Sequence, residues 1–427
     1  MRVFVLDKNL NPLDPCHPAR ARELLNQGRA KVFKRYPFTI VLQDRTVDVS
    51  TVHPHRIKID PGSKTTGIAV VQENTGRVTS ALEISHRGQQ IKAALDSRRA
   101  LRRGRRNRKT RYRKPRFLNR TRKSRWLPPS LESRIANIET WVRRIRKLCP
   151  ISAISQELVR FDLQQMQNPE VSGVEYQRGE LFGFEIKEYL LIKWGRKCAY
   201  CGVENVPFEI EHILAKSKGG SNRVSNMSLS CHNCNQAKGN KPVEEFLKKK
   251  PDVLKRILAH LLAPLKDAAA VNATRWELYR RLQSTGLPVE VGSGGRTKFN
   301  RKTRGVEKQH WTDAACVGVS TPEKLLINGV KPLIIKAKGH GTRQRARPDK
   351  FGFPKAHAPK AKFFQGFQTG DIVKADVPTG KFAGQYAGRI AIRFRPSFVL
   401  QLSTQKFDVH PKYLKTIHKA DGYEYQS

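Results

Sequence analysis

The chain has 427 residues and carries 82 Lys and Arg against 36 Asp and Glu, a net charge of +46. A compact fold holding that charge unneutralised repels itself, so the composition predicts a polyanionic partner. No amphipathic or lipidated anchor is evident and the start, MRVFVLDKNLNPLDP, lacks the apolar core of a signal peptide, which argues against a membrane surface and leaves nucleic acid.

From the amino terminus, the first segment with a clear pattern is RIKIDPGSKTTGIAVV, residues 56–71: an alternating strand ending at Asp60, a Pro-Gly turn and a second strand. Asp60 sits at the strand's mouth, where an aspartate either forms the turn or faces a ligand. Between Arg98 and Arg125, 16 of 28 residues are Lys or Arg. Such a run repels itself when free. Leu95, Arg98, Arg99, Arg102, Arg103 and Arg106 nevertheless recur at helical spacing, and the run lies in mid-chain between apolar segments. Guanidinium forks grip phosphates bidentately, so the reading is a helix that orders against an RNA or DNA backbone. Glu157 then interrupts the apolar-rich strand AISQELVRF, a setting that disfavours a carboxylate unless it faces solvent, a partner or a metal.

Cys198-Ala-Tyr-Cys201 and Cys231-His-Asn-Cys234 bracket Glu211-His212, Asn226 and Asn235. Four thiolates in two knuckles fix one zinc tetrahedrally and close a short, core-poor segment on itself, leaving the enclosed acid, imidazole and amides for chemistry. This is the outline of an HNH nuclease. The other three cysteines, Cys16, Cys149 and Cys316, are scattered, which fits a reducing cytosol rather than a disulfide framework. Further on, His310 and Asp313 in EKQHWTDAACVGV lie three apart on one helical face, and the apolar run after Asp313 makes that helix a buried one. Three clustered carboxylates, Asp60, Glu157 and Asp313, would hold two Mg2+ ions and hydrolyse a phosphodiester. The alternative at this stage is that each acid pairs with an arginine. Residues 336–362 read as an extended arm that tracks phosphates, and short alternating strands with Gly and Pro beyond it suggest a small β-barrel.

The order of Asp60 in IDPGSKTTGIAV, an arginine-rich segment, Glu157, an HNH unit and HisXXAsp at His310 and Asp313 resembles IscB, a family of transposon-encoded, RNA-guided nucleases related to the CRISPR effectors. The resemblance implies an α/β fold: a split RNase H-like (RuvC) core with an inserted ββα-metal HNH domain, an arginine-rich bridge helix and a small carboxy-terminal β-rich domain. It divides the chain into an N-terminal PLMP-type domain (1–55), RuvC segments at 56–95, 127–180 and 247–334, a bridge helix (96–126), the HNH domain (181–246) and a carboxy-terminal region (335–427) that binds guide RNA and inspects the motif beside the target. Pro12-Leu13-Asp14-Pro15 stands where the family has Pro-Leu-Met-Pro.

By the same resemblance, Asp60, Glu157, His310 and Asp313 form the RuvC site with two Mg2+, and His212 is the HNH general base. Glu211 and Asn235 would ligate one further Mg2+, Asn226 would brace the loop, and Cys198, Cys201, Cys231 and Cys234 would hold one structural zinc. Arg98, Arg99, Arg102, Arg103, Arg105, Arg106, Arg108, Arg111 and Arg113 would contact the guide. Only about thirty residues separate Trp126 from Glu157, too few for the recognition lobe of the CRISPR effectors. The missing walls of a heteroduplex channel then fall to a structured guide RNA (omega RNA), with the protein a monomer in a cytoplasmic, prokaryotic ribonucleoprotein acting on double-stranded DNA. Two other readings meet part of the sequence. A guide-free HNH homing or restriction endonuclease leaves the order of the three acids unexplained, and a non-catalytic zinc-containing RNA-binding protein leaves Glu211-His212 unexplained.

Overall fold

A computed structural model of the chain describes residues 2–107, 126–158, 182–220, 224–261, 266–339, 346–351, 353–357, 361–393 and 396–426. The fold is mixed α/β and divides into two compact units, one of residues 1–154, 307–315 and 321–427, the other of 155–306 and 316–320. No helix among the described residues is long and apolar enough to cross a membrane.

The first unit opens with a four-stranded sheet of β1 (Val3–Leu6), β2 (Pro12–Cys16), β3 (Ala30–Lys34) and β4 (Thr39–Leu42) in the order β2-β1-β4-β3. The VFVL run of β1 is buried throughout because it is central, and Pro12 falls on an edge strand, where a missing N–H breaks no ladder. Helix α1 (Pro18–Asn26) begins with Pro in its first turn and a His17 ring nitrogen accepting from the Ala19 amide. It packs Ala21 and Leu24 against Val5 and Ile40. Asp14, the residue that departs from the family's tetrapeptide, accepts the His53 amide at 3.0 Å and pairs with the His53 ring at 2.5 Å, tying β2 to the segment that enters the next strand.

That strand is β5 (His55–Asp60), followed by β6 (Thr65–Gln72) and β7 (Val78–Ser85), all antiparallel. The strand, turn and strand expected over 56–71 are β5 and β6. Beyond β7 lie the parallel strand Leu333–Ala337 and, antiparallel to it, Tyr423–Gln426. On the other side of β5 runs β8 (Ile151–Glu157), whose residues up to Ile154 belong to this unit. β6 is apolar on both faces and its neighbours β5 and β7 bury residues on both, the pattern of a covered sheet. Helices α2 (Gly88–Asn107) and α3 (Pro129–Arg146) follow, with α3 burying Ile135, Ile138, Trp141, Val142 and Ile145 at helical spacing.

The unit ends in a five-stranded antiparallel sheet around Val373, Ile390, Phe398, Leu400 and Phe407. Its edges are Lys406–Val409 and Leu414–His418, so the barrel expected here is an open sheet. Part of the expected arm is a two-stranded hairpin, Ala346–Pro348 with Pro354–His357.

In the second unit, β9 (Phe208–His212) and β10 (Met227–Cys231) form an antiparallel hairpin followed directly by the helix His232–Lys238. Its core runs from Ile186 through Trp194, Tyr200, Phe208 and Leu229 to Ile257, past Phe246. None of the seven cysteines is in a disulfide.

Candidate functional site

The four cysteines of the two knuckles offer sulfur atoms that all lie within 4.8 Å of one another. Cys201 and Cys231 sulfurs are 3.7 Å apart, close to the edge of about 3.8 Å that a tetrahedron with Zn–S bonds of roughly 2.3 Å requires. Gly202 follows the first knuckle with φ of 78°, a turn that only glycine makes without strain. The Cys231 amide donates to the Cys198 sulfur at 3.4 Å. Burial works against the Cys198 thiolate, but the amides of Cys201, Cys231 and Tyr200 outweigh it and lower its pKa to about 7. Soft, clustered thiols fit zinc.

The knuckles frame the hairpin end. Glu209 and Glu211 share one face of β9, and His212 closes the strand opposite Met227. Glu211 is 4% exposed and fully engaged: Ser228 Oγ donates to it at 2.8 Å, the Tyr200 hydroxyl donates to the same oxygen, and Lys238 Nζ lies 2.5 Å from the other. Lys238 is completely buried and also donates to the His212 carbonyl at 2.9 Å. A cysteine knuckle, an acid, a lysine and the backbone of the imidazole residue are thus joined through buried polar contacts. Asn235 donates not to Glu211 but to Glu209, at 2.6 Å, and the His232 ring is 2.9 Å from the other oxygen of Glu209. The geometry therefore departs from the expected pairing of Glu211 with Asn235. Strand alternation puts both acids on one face, and the buried cation at Lys238 takes one of them. Glu209 is the residue that motif matching passed over. Asn226 Oδ1 accepts the Leu214 amide at 2.9 Å and its Nδ2 donates to the Leu214 carbonyl at 3.0 Å, closing the loop that leaves His212.

In the first unit, Asp60 pairs in register with Gly67, and Gly67 with Glu83. A Cβ on Gly67 would lie 1.8 Å from the carbonyl oxygen of His310. The start of the helix His310–Ala315 thus rests on bare backbone at the strand position between Asp60 and Glu83. Glu83 accepts the Trp311 amide at 3.3 Å, satisfying one of the free N–H groups of that first turn. Asp60 and Asp313 are both half-buried, and His310 is exposed. Sequence reasoning missed Glu83 and Gly67; the GlyIleAlaVal run held the only hint, a glycine in a strand interior.

Glu157 closes β8 in the second unit. It is 3% exposed, and Arg275 Nη2 donates to it at 3.1 Å. The neighbouring Gln156 donates to the Arg275 carbonyl at 2.9 Å, so the strand grips that arginine by both its side chain and its backbone. One of the three acids thus has the guanidinium partner that was the alternative to a metal.

Arg98, Arg99, Arg102, Arg103, Arg105 and Arg106 are all exposed on α2. Five of them, all but Arg105, meet no carboxylate among the described residues. Only Gly88 of this helix is buried, at the end where a Cβ would meet the Ser130 carbonyl of α3 at 2.9 Å. The arginine half is a cationic rod with nothing apolar to cover. Arg108, Arg111 and Arg113 lie outside the described residues.

Comparison with known proteins gives two family matches. Residues 3–179 match the family described as RRXRR protein, and residues 198–251 match HNH endonuclease. No curated protein matches the chain. Among solved structures, Streptococcus thermophilus Cas9 in complex with the AGAA PAM is 14% identical, with 62% of this chain and 32% of that chain covered and a TM-score of 0.24. The Type II-C Cas9 enzyme from Actinomyces naeslundii is also 14% identical, with 64% of this chain and 60% of that one covered, again at a TM-score of 0.24. The chain spans less than two thirds of either.

Proposed function

We propose that this chain, a nuclease of the IscB and Cas9 type by its RRXRR and HNH segments, is an RNA-guided double-stranded DNA endonuclease. The observation that carries the reading is the pairing, in one chain, of a cysteine-knuckled hairpin whose first strand ends in His212 with an exposed arginine rod on which Arg98, Arg99, Arg102, Arg103 and Arg106 meet no carboxylate among the described residues. The first supports phosphodiester hydrolysis and the second supports a nucleic-acid backbone as its target.

In the insert, the His212 imidazole takes a proton from the attacking water. Asn235 and Glu209, joined by a hydrogen bond, would supply hard oxygen donors suited to one Mg2+; the resemblance assigns Glu211 to that ion, but its oxygens are taken by Lys238, Ser228 and Tyr200. Bound there, the ion would stabilise charge developing on the phosphate. Lys238 fixes the backbone of His212, so the ring's position follows the buried core. In the RNase H-like half, Asp60, Glu157 and Asp313 are the carboxylates assigned to two Mg2+, with His310 beside Asp313. Arg275 donates to Glu157 at 3.1 Å, a pair that a metal held by Glu157 would have to open.

Guide pairing selects the target and displaces one strand; the HNH site cuts the guide-paired strand and the RuvC site the displaced one. Arg98 to Arg113 hold the guide backbone. Sequencing the RNA that copurifies with the protein tests this reading. One defined, structured species with a variable end supports it; no RNA favours a guide-free endonuclease, and mixed RNA without nuclease activity favours a binding protein.

A further inference from the structure

The amino-terminal sheet carries a feature that neither nuclease site uses. An exposed sheet edge ordinarily carries charge rather than apolar groups, yet on the edge strand β3 Val32 is 57% exposed and Phe33 50% exposed. Beside them opens a cavity of about 720 Å3, lined among others by Phe33, Lys34, Arg35, Phe38, Ile417 and Lys419. That volume is in the range of about 300–1,000 Å3 that buries a ligand of nucleotide size. The ring of the lining residue His418 meets Tyr36 edge-on at 5.6 Å and Tyr425 at 5.5 Å, and those two rings stack with centroids 4.7 Å apart and planes 11° apart. The Arg35 guanidinium lies 5.5 Å from the Tyr36 ring centre.

The charge in this cavity is one-sided. Its one acid, Asp421, is consumed by Arg144 at 2.7 Å, by the Tyr425 hydroxyl and by the Tyr423 amide. Lys34 is half-buried and has no carboxylate partner among the described residues. Burial, and secondarily the nearby Arg144, lower its pKa, with the charge of Asp421 opposing them. An aromatic face, a half-desolvated ammonium and two further cations around a pocket too small for a duplex make a complementary set. The ring stacks a base, and the cations hold its phosphate.

We infer that the cavity beside β3 is a binding site for one unpaired nucleotide of a folded RNA, with Phe33 stacking on the base and Lys34, Arg35 and Lys419 gripping the backbone. The inference rests on the RNA-binding reading above and gives the amino-terminal domain a task. The domain anchors the RNA at a bulged or looped-out position, while the arginine rod of α2 tracks the continuous backbone.

The test uses the full-length protein, freed of nucleic acid, and the RNA that copurifies with it, with affinity measured over a salt series. Phe33→Ala removes an exposed ring and leaves the fold intact. It is expected to weaken binding about tenfold with the slope of log affinity against log salt unchanged, and Phe33→Trp is expected to restore binding. Lys34→Ala with Lys419→Ala is expected to lower that slope by about 1, the loss of one phosphate contact. Chemical probing is expected to show one unpaired nucleotide protected by the wild type and exposed by Phe33→Ala.

If the wild type binds the RNA tightly while all these variants bind and protect it identically, the nucleotide pocket is wrong and the guide reading stands. If the wild type itself binds RNA without preference or salt dependence, the guide reading fails first. A Phe33→Ala protein that keeps RNA affinity but loses self-association or the capture of an acidic peptide would overturn the inference in favour of a protein partner.

Discussion

Replacing Lys238 by Met isolates the buried pair at the centre of the hairpin module. Lys238 is fully buried, Glu211 is 4% exposed, and their charged atoms are 2.5 Å apart. At an effective dielectric of about 20, the gross attraction is roughly 7 kcal/mol, most of it offset by the cost of taking both ions out of water. The substitution leaves that cost on Glu211 with the neutral donors Ser228 and Tyr200, and removes the Lys238 donor from the His212 carbonyl. Breaking one side of such a pair costs about 3–5 kcal/mol. The double variant Lys238→Met with Glu211→Gln removes the stranded charge and should return to within about 1–2 kcal/mol of wild type. Amide hydrogen exchange over β9 and β10 in the zinc-loaded full-length protein reports this directly, because it reads the module's own opening rather than global unfolding. The expected acceleration is about 10²–10³-fold for the single variant, largely reversed in the double. A single variant that exchanges like the wild type, or a double no slower than the single, would refute the claim that this ion pair supports the hairpin.

The zinc assignment predicts that Cys234→Ser, or removal of the metal by a strong chelator, opens the module across residues 186–257 while exchange in β5, β6 and β7 stays unchanged, since its core is its own. Gly67→Ala should displace the helix His310–Ala315, because the new methyl falls 1.8 Å from the His310 oxygen; a loss of at least about 3 kcal/mol in thermal unfolding is expected. Burial, and then the Arg134 charge, lower the pKa of His86 to about 4. An unfolded imidazole binds its proton near pH 6.5, so its neutral form stabilises the fold above that pH and the contribution is lost as pH falls toward 4. That amounts to about 3 kcal/mol in unfolding measured between pH 7 and pH 4, and His86→Gln should flatten this part of the profile.

Much of the architecture follows from local signals. The alternation around the Pro-Gly turn yields β5 and β6, and the two knuckles bring four sulfurs together across thirty residues, because each Cys-X-X-Cys turn is its own geometry. What stayed hidden depends on long-range burial. Glu209 and Glu211 are equivalent by alternation, and only a lysine 27 positions beyond Glu211 distinguishes them. Glu83 and Gly67 matter because a helix from residue 310 lands on them, a contact no window around either could contain. Asp14 shows the converse: a substitution within a motif is explained once its partner, His53, is visible.

The division of labour between the two proposed sites is tested most directly by strand-resolved cleavage of a plasmid carrying a guide match beside a randomised flank, with the Asp60→Ala and His212→Ala proteins loaded with their native RNA. The account predicts that Asp60→Ala cuts only the guide-paired strand and His212→Ala only the displaced one. If either single substitution abolishes both cuts while RNA binding remains normal, the account is contradicted.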